Sequence, residues 1–190
     1  FYISERPEQK QFTKDDPDRR TNMVLLAKNF QGYKNLAKLS SLGYTNGYYA
    51  GVPRISKKQI AEYKENLIAV TAGIYGDVPN AILNFGEQKG EEVFLWWKEQ
   101  FGEDFYVKIQ NHDIEEEEHL NEVLLELADK HDVKILAQNE TFYTKKEDAK
   151  IQDIIACIKD GERVSTPIGK GFGKRKGLAN DHYFIQNPEE

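Results

Sequence analysis

The apolar run Val133, Ile135, Leu136 and Ala137, closed off on each side by a helical pattern, constrains the fold more than any other stretch. A short run in that setting suits a buried parallel strand, because parallel strands are covered on both faces by their crossover helices. It breaks abruptly into Gln138-Asn-Glu-Thr-Phe-Tyr143. In α/β sheets the residues just past the carboxyl ends of parallel strands form the site. Glu140 is therefore expected where ligands are met.

The rest of the chain repeats this alternation. Phe1 to Ser4, Asn22 to Ala27, Leu67 to Thr71 and Phe105 to Gln110 read as further strands, and His182 to Ile185 as a last candidate. Helices are expected from Asn29, with Phe30, Tyr33, Leu36, Leu39 and Leu42 facing inward; from Ser56; over Val78 to Leu83; over Gly90 to Gln100; from Glu115; and over Lys145 to Lys159, with Ile151, Ile154, Ile155 and Ile158 as its apolar positions. Glu5 to Arg20, rich in charge and proline, reads as an exposed excursion or long hairpin. The order implies an α/β fold with a mostly parallel sheet. Its strands are too few to close an eight-stranded barrel, which leaves an open sheet or most of a barrel whose first strands precede Phe1.

Thirty-nine per cent hydrophobic and 31% charged residues make an ordinary folded composition. No run approaches the roughly 18 apolar residues of a membrane span, so no membrane partner is expected. A single cysteine, Cys157, sits in an apolar run and can form no internal disulfide, which points to a reducing cytoplasm. A net charge of −6 argues against broad attraction to nucleic acid. The chain begins inside an apparent strand and stops at Asn187-Pro-Glu-Glu190, as an excised piece of a longer protein would.

Few residues carry chemistry. His112 and Asp113 follow a strand, where a sheet presents ligands; Asp77 and Glu140 follow two others and could converge with His112 on a divalent metal. The plain alternative is a loop histidine and unrelated surface acids. Glu115 to Glu118 with His119 reads as the solvated start of a helix, since successive helical side chains diverge. Gly169 to Gly177 is basic and glycine-rich; Lys170, Lys174, Arg175 and Lys176 could touch phosphates, although the segment fits neither nucleotide-binding fingerprint. A mobile surface loop is the plain alternative.

Longer strings say more. Asn22-Met-Val-Leu-Leu-Ala-Lys-Asn29, Gly32-Tyr-Lys-Asn-Leu-Ala-Lys-Leu-Ser-Ser-Leu-Gly-Tyr44, Pro53-Arg-Ile55, Val78-Pro-Asn-Ala-Ile-Leu83, Asn121-Glu-Val-Leu-Leu125, Val133 to Ala149 and Asp153-Ile-Ile-Ala-Cys-Ile158 resemble the PHP domain of bacterial replicative DNA polymerase III alpha subunits, with a Bacteroidetes-like look. The resemblance runs in order along the whole chain. It implies a partial, distorted (β/α)7 barrel lacking its first strands, with residues 1–160 as the remainder of the PHP domain and 161–190 as a loop and the start of the connection toward the polymerase palm.

Active members of that family hydrolyse phosphoesters with bound metals, whereas others keep the domain as a scaffold. Against the family's ligand pattern, Asn22 stands for a histidine, Gly73 for a cysteine and Phe142 for a histidine, while Asp77, His112 and Glu140 are what remains. A hydrolytic metal centre needs several ligands and room for water. The expectation is therefore a non-catalytic scaffold with no cofactor and no catalytic residues, joined to the rest of the alpha chain, to a proofreading subunit, and to DNA through the intact polymerase. The alternative that the resemblance implies is a zinc- or manganese-dependent phosphoesterase or 3′-5′ proofreading exonuclease with altered ligands.

Overall fold

The computed structural model describes residues 1–169 and 171–187. Among these the chain forms a mixed α/β fold with two sheets and six α-helices. It divides into two compact units, Phe1–Ile109 with His119–Ala137, and Gln110–Glu118 with Gln138–Glu190.

In the first unit β1 (Tyr2–Ile3) pairs antiparallel with β2 (Thr21–Asn22) and parallel with β4 (Arg54–Ile55). A second sheet runs β3 (Val24–Ala27), β5 (Leu67–Val70), β6 (Phe105–Ile109), β7 (Lys134–Ala137), with β3 antiparallel to β5 and the other pairs parallel. The single strand expected over Asn22 to Ala27 is thus two strands in two sheets. Met23 marks the crossing: it is buried, and its N–H bonds to the Phe1 carbonyl at 3.1 Å. The continuous apolar letters hid that break.

Helix α1 (Phe30–Thr45) starts where expected, Asn29 accepting a hydrogen bond from the Gly32 N–H at 3.0 Å. Its inner face differs from the expected one. Phe30 and Tyr33 are exposed, and the buried residues are Gly32, Leu39 and Gly43. A Cβ at Gly32 would stand 2.1 Å from the Asn66 carbonyl oxygen, so the missing side chain lets the helix backbone lie against that turn. That contact rotates the aromatic residues outward.

The helix α2 (Lys57–Tyr63) opens with a capping box, Ser56 and Gln59 satisfying each other's backbone N–H groups. Helices α3 (Asp77–Phe85), α4 (Glu87–Phe101) and the body of α5 (Glu115–Lys130) complete the unit. Its core gathers Leu39, Ile60, Leu67, Phe94, Trp97 and Phe105, all at most 1% exposed. Each such side chain contributes about 2 kcal/mol of burial.

The strand β7 is parallel to β6, as expected, but it is not buried: it ends the sheet, and Ile135 and Leu136 are 47% and 40% exposed. An edge strand has one neighbour and is covered accordingly less. Glu5 to Arg20 is mostly exposed and joins the antiparallel β1 and β2 as a long hairpin, yet it also takes up a buried side chain. Arg54, fully buried, reaches into it, donating to the carbonyls of Pro7 (2.8 Å) and Gln9 (2.7 Å) and pairing with Asp18 at 2.7 Å. Its guanidinium lies 5.3 Å from the Phe12 ring centre and 5.1 Å from that of Tyr49.

The second unit contains the first turn of α5, a 3-10 turn at Lys146–Asp148, α6 (Ala149–Asp160) and the tail. The strand candidate His182 to Ile185 reduces to one bridge between Phe184 and Tyr143. On α6 the isoleucines at 151, 154, 155 and 158 are exposed, and the helix turns Cys157 and Asp153 inward instead. Asp153 pairs there with Arg175, so a charge rather than the apolar stripe fixes the helix's rotation.

Candidate functional site

In the first unit Asp77 opens α3, just after the turn that follows β5. It is 9% exposed. One carboxylate oxygen accepts from the Thr21 hydroxyl at 2.7 Å; the other accepts from the Trp97 indole N–H at 2.8 Å and from the Lys57 ammonium at 2.6 Å. Lys57 also lies 5.1 Å from the Trp96 ring centre. A carboxylate held by a cation, an indole and a hydroxyl has its charge balanced and three of its about four acceptor positions taken by protein. Asn22, at one of the lost ligand positions, is tied into β2 and donates its N–H to the Tyr75 carbonyl at 3.0 Å. Gly73, at another, accepts from the Gly76 N–H at 2.6 Å in the turn before α3.

A cleft of about 920 Å³ opens beside Asp77. Arg6, Arg19, Arg20, Lys57, Lys58 and Lys89 line it, against the carboxylates of Glu5, Asp18 and Asp77. Its lining is therefore cationic although the chain as a whole is acidic.

In the second unit His112 is 1% exposed and closely held. The neighbouring Asp113 adopts a left-handed backbone (φ 57°), with its N–H bonded to the Asn111 side chain at 2.9 Å, a conformation that aspartate tolerates. The His112 ring stacks on Tyr183, centres 4.3 Å apart and planes at 17°. Its Nδ1 meets the Glu117 carboxylate at 2.9 Å, and Glu117 also accepts the His112 backbone N–H at 2.7 Å. With Nδ1 donating to Glu117, Nε2 accepts from the Glu140 backbone N–H at 3.1 Å. Both ring nitrogens are then engaged by protein. Gln110 donates to Glu117, and Asn180 to the His112 carbonyl. Burial, with Glu117 and Glu140 nearby, pushes the Tyr183 hydroxyl above its usual pKa.

Glu140 meets His112 through its backbone; its residue is otherwise exposed. Phe142, half exposed, tilts against Tyr183 with ring centres 5.6 Å apart. Asp77 thus belongs to the first unit and His112 and Glu140 to the second.

The basic segment separates into different environments. Lys170 lies outside the described residues. Arg175 is buried, pairing with both oxygens of Asp153 at 2.6 and 2.7 Å and donating to the Thr166 carbonyl at 2.8 Å, and the Asp153 hydrogen bonds raise its pKa further. It is turned away from any phosphate in solution. Lys174 and Lys176 remain exposed.

Sequence reasoning missed the partners. Thr21, Lys57 and Trp97 around Asp77 are far apart in sequence and gave no signal. Glu117 was placed in the solvated helix start, yet it is 4% exposed. Its spacing held the clue: it precedes Leu120 and Leu124 by three and seven residues, the step of one helical face.

The sequence is related to known proteins over most of its length. It is 37% identical over 169 residues to DNA polymerase III subunit alpha of Borreliella burgdorferi, matching 89% of this chain and 14% of that protein. The subunit of the same name from Campylobacter jejuni is 32% identical over 182 residues, with 90% of this chain and 15% of that protein covered. For the Aquifex aeolicus subunit the figures are 38% over 138 residues, 72% and 12%. The chain therefore spans about one seventh of the length of these relatives. Residues 2–112, from β1 through the buried histidine, match the PHP domain. By that match the chain belongs to the PHP domain family.

Proposed function

We propose that this chain is the PHP part of a DNA polymerase III alpha subunit and serves there as a non-catalytic scaffold. In this reading it forms a partial, distorted (β/α)7 barrel lacking its first strands, with residues 1–160 as PHP domain and 161–190 leading toward the palm. Its context is cytoplasmic. Its partners are the rest of the alpha chain, a proofreading subunit, and DNA reached through the intact polymerase.

The observation that carries the proposal is the engagement of two of the three surviving ligand candidates, Asp77 and His112, by protein groups. Asp77 is satisfied by Lys57, Trp97 and Thr21, and His112 by Glu117 and Glu140. In this arrangement the residues do not fit a metal centre: an ammonium sits on the carboxylate, the imidazole offers no open nitrogen, and Phe142 has no donor atom. In this reading the polar groups hold neighbouring elements together.

One observation favours a second reading. The cationic cleft beside Asp77 suits a phosphoester, as a zinc- or manganese-dependent phosphoesterase or 3′-5′ exonuclease with altered ligands would require. Metal analysis of the full natural chain separates the two. The scaffold reading expects zinc and manganese well below one per chain and unchanged in His112→Ala. Near-stoichiometric metal, lost in that variant together with hydrolysis of a 3′-terminal nucleotide, would establish the second.

A further inference from the structure

We propose that the outer face of α1 binds single-stranded nucleic acid. Four large aromatic side chains stand out from this face: Phe30 at 71% exposure, Tyr33 at 61%, Tyr44 at 60% and, just past the helix, Tyr48 at 48%. They form two pairs of nearly parallel rings. Phe30 and Tyr33 are 6.2 Å apart at 16°, and Tyr44 and Tyr48 are 5.8 Å apart at 19°. Fourteen residues separate Phe30 from Tyr44, which places the pairs about 21 Å apart along the axis. Lys34 and Lys38 lie between them, and the Lys34 ammonium stands 4.8 Å from the Phe30 ring centre.

The fold makes no use of these rings, since the inner face of α1 runs through Gly32, Leu39 and Gly43. An exposed aromatic stripe of this size on one helix marks a binding surface. Charge selects the occupant. The helix carries two lysines and no carboxylate, in a chain of net charge −6. Protein interfaces share the enrichment in aromatic residues but are depleted in lysine, whereas ring platforms interleaved with cations are the usual means of holding unpaired strands. Bases stack on the two ring pairs, and the intervening phosphates meet Lys34 and Lys38.

The test uses the full natural chain and an oligothymidylate carrying 5-iodouracil. Ultraviolet cross-links are mapped by mass spectrometry, and the salt dependence of binding is measured. Cross-links are expected on the peptide containing Phe30 to Tyr48. Tyr33→Ser with Tyr44→Ser should weaken the site at least about tenfold, while Tyr33→Phe, which keeps the ring, should bind as wild type. Lys34→Ala with Lys38→Ala should lower the slope of log affinity against log salt by about 1.4. All these positions are solvent-facing, so an unchanged far-ultraviolet spectrum checks the fold. Cross-links confined to other peptides, or equal competition by duplex DNA, would overturn the proposal. So would tyrosine variants that alter self-association or protein capture while leaving oligonucleotide binding intact; the face would then be a protein interface.

Discussion

The polar knot around Asp77 and the one around His112 are built alike but sit in different surroundings. The first lies in a unit whose interior is apolar, with Trp97 itself both a core side chain and a donor to Asp77. In the second unit, among the described residues, the buried side chains are His112, Glu117, Cys157, Arg175 and Tyr183. Three of these, His112, Glu117 and Arg175, are members of ion pairs. Hydrophobic burial holds the first unit and the knot is seated in that core, whereas in the second unit polar pairs do most of the holding. Polar pairs are weaker than burial in total but costly to break one-sidedly, because the partner left behind is desolvated and unsatisfied. The same kind of contact should therefore have a global role in one unit and a local role in the other.

Replacing Asp77 by Ala gives the sharpest test of the first half of this contrast. It strands the Trp97 N–H and the Lys57 ammonium beside the core, and we expect about 3 kcal/mol of lost global stability, read as a lower denaturant midpoint with unchanged slope. Glu117→Ala should cost about 2 kcal/mol, but locally. Hydrogen exchange should show the amides of residues 110–118 and 138–187 losing protection while those of β5 and β6 keep theirs. If Glu117→Ala lowered the global midpoint as much as Asp77→Ala does, the contrast would be wrong.

A smaller effect is expected at Arg175. Arg175→Ala releases Asp153 and the carbonyl of Thr166, and should speed proteolytic nicking between residues 161 and 187 without moving the global midpoint. The smallest concerns Glu91 in the first unit, whose pKa is lowered by hydrogen bonds from Lys130 and then His131. Its folded value lies below its unfolded one, so its contribution is present above the unfolded value and is lost as pH falls through the folded value. Glu91→Gln should be slightly less stable than wild type near neutrality and indistinguishable from it in acid, as paired unfolding curves at two pH values would show.

Much of the first unit was legible because its elements follow simple rules. Hydrophobic period, the Asn29 and Ser56 caps and the proline in α3's first turn marked where helices begin. What was not legible depended on contacts distant in sequence. The rotation of α1 follows from Gly32 against Asn66, and the crossing at Met23 from pairing with Phe1. The rotation of α6 follows from Asp153 and Arg175, against an apolar stripe that pointed the other way. At the candidate site the sequence indicated Asp77, His112 and Glu140 but not Lys57, Trp97, Thr21 or Glu117. No periodicity encodes a hydroxyl 56 residues from its acceptor.

The central claim is that these polar groups are satisfied by one another rather than by an ion. Thermal unfolding of the full natural chain, with chelator and then with zinc or manganese in excess, addresses it most directly. An ion that binds the native state raises the midpoint in proportion to the logarithm of its concentration. Any response of the midpoint to metal should be the same in wild type, Asp77→Ala and His112→Ala. A metal-dependent rise that disappears in Asp77→Ala or in His112→Ala would contradict the claim.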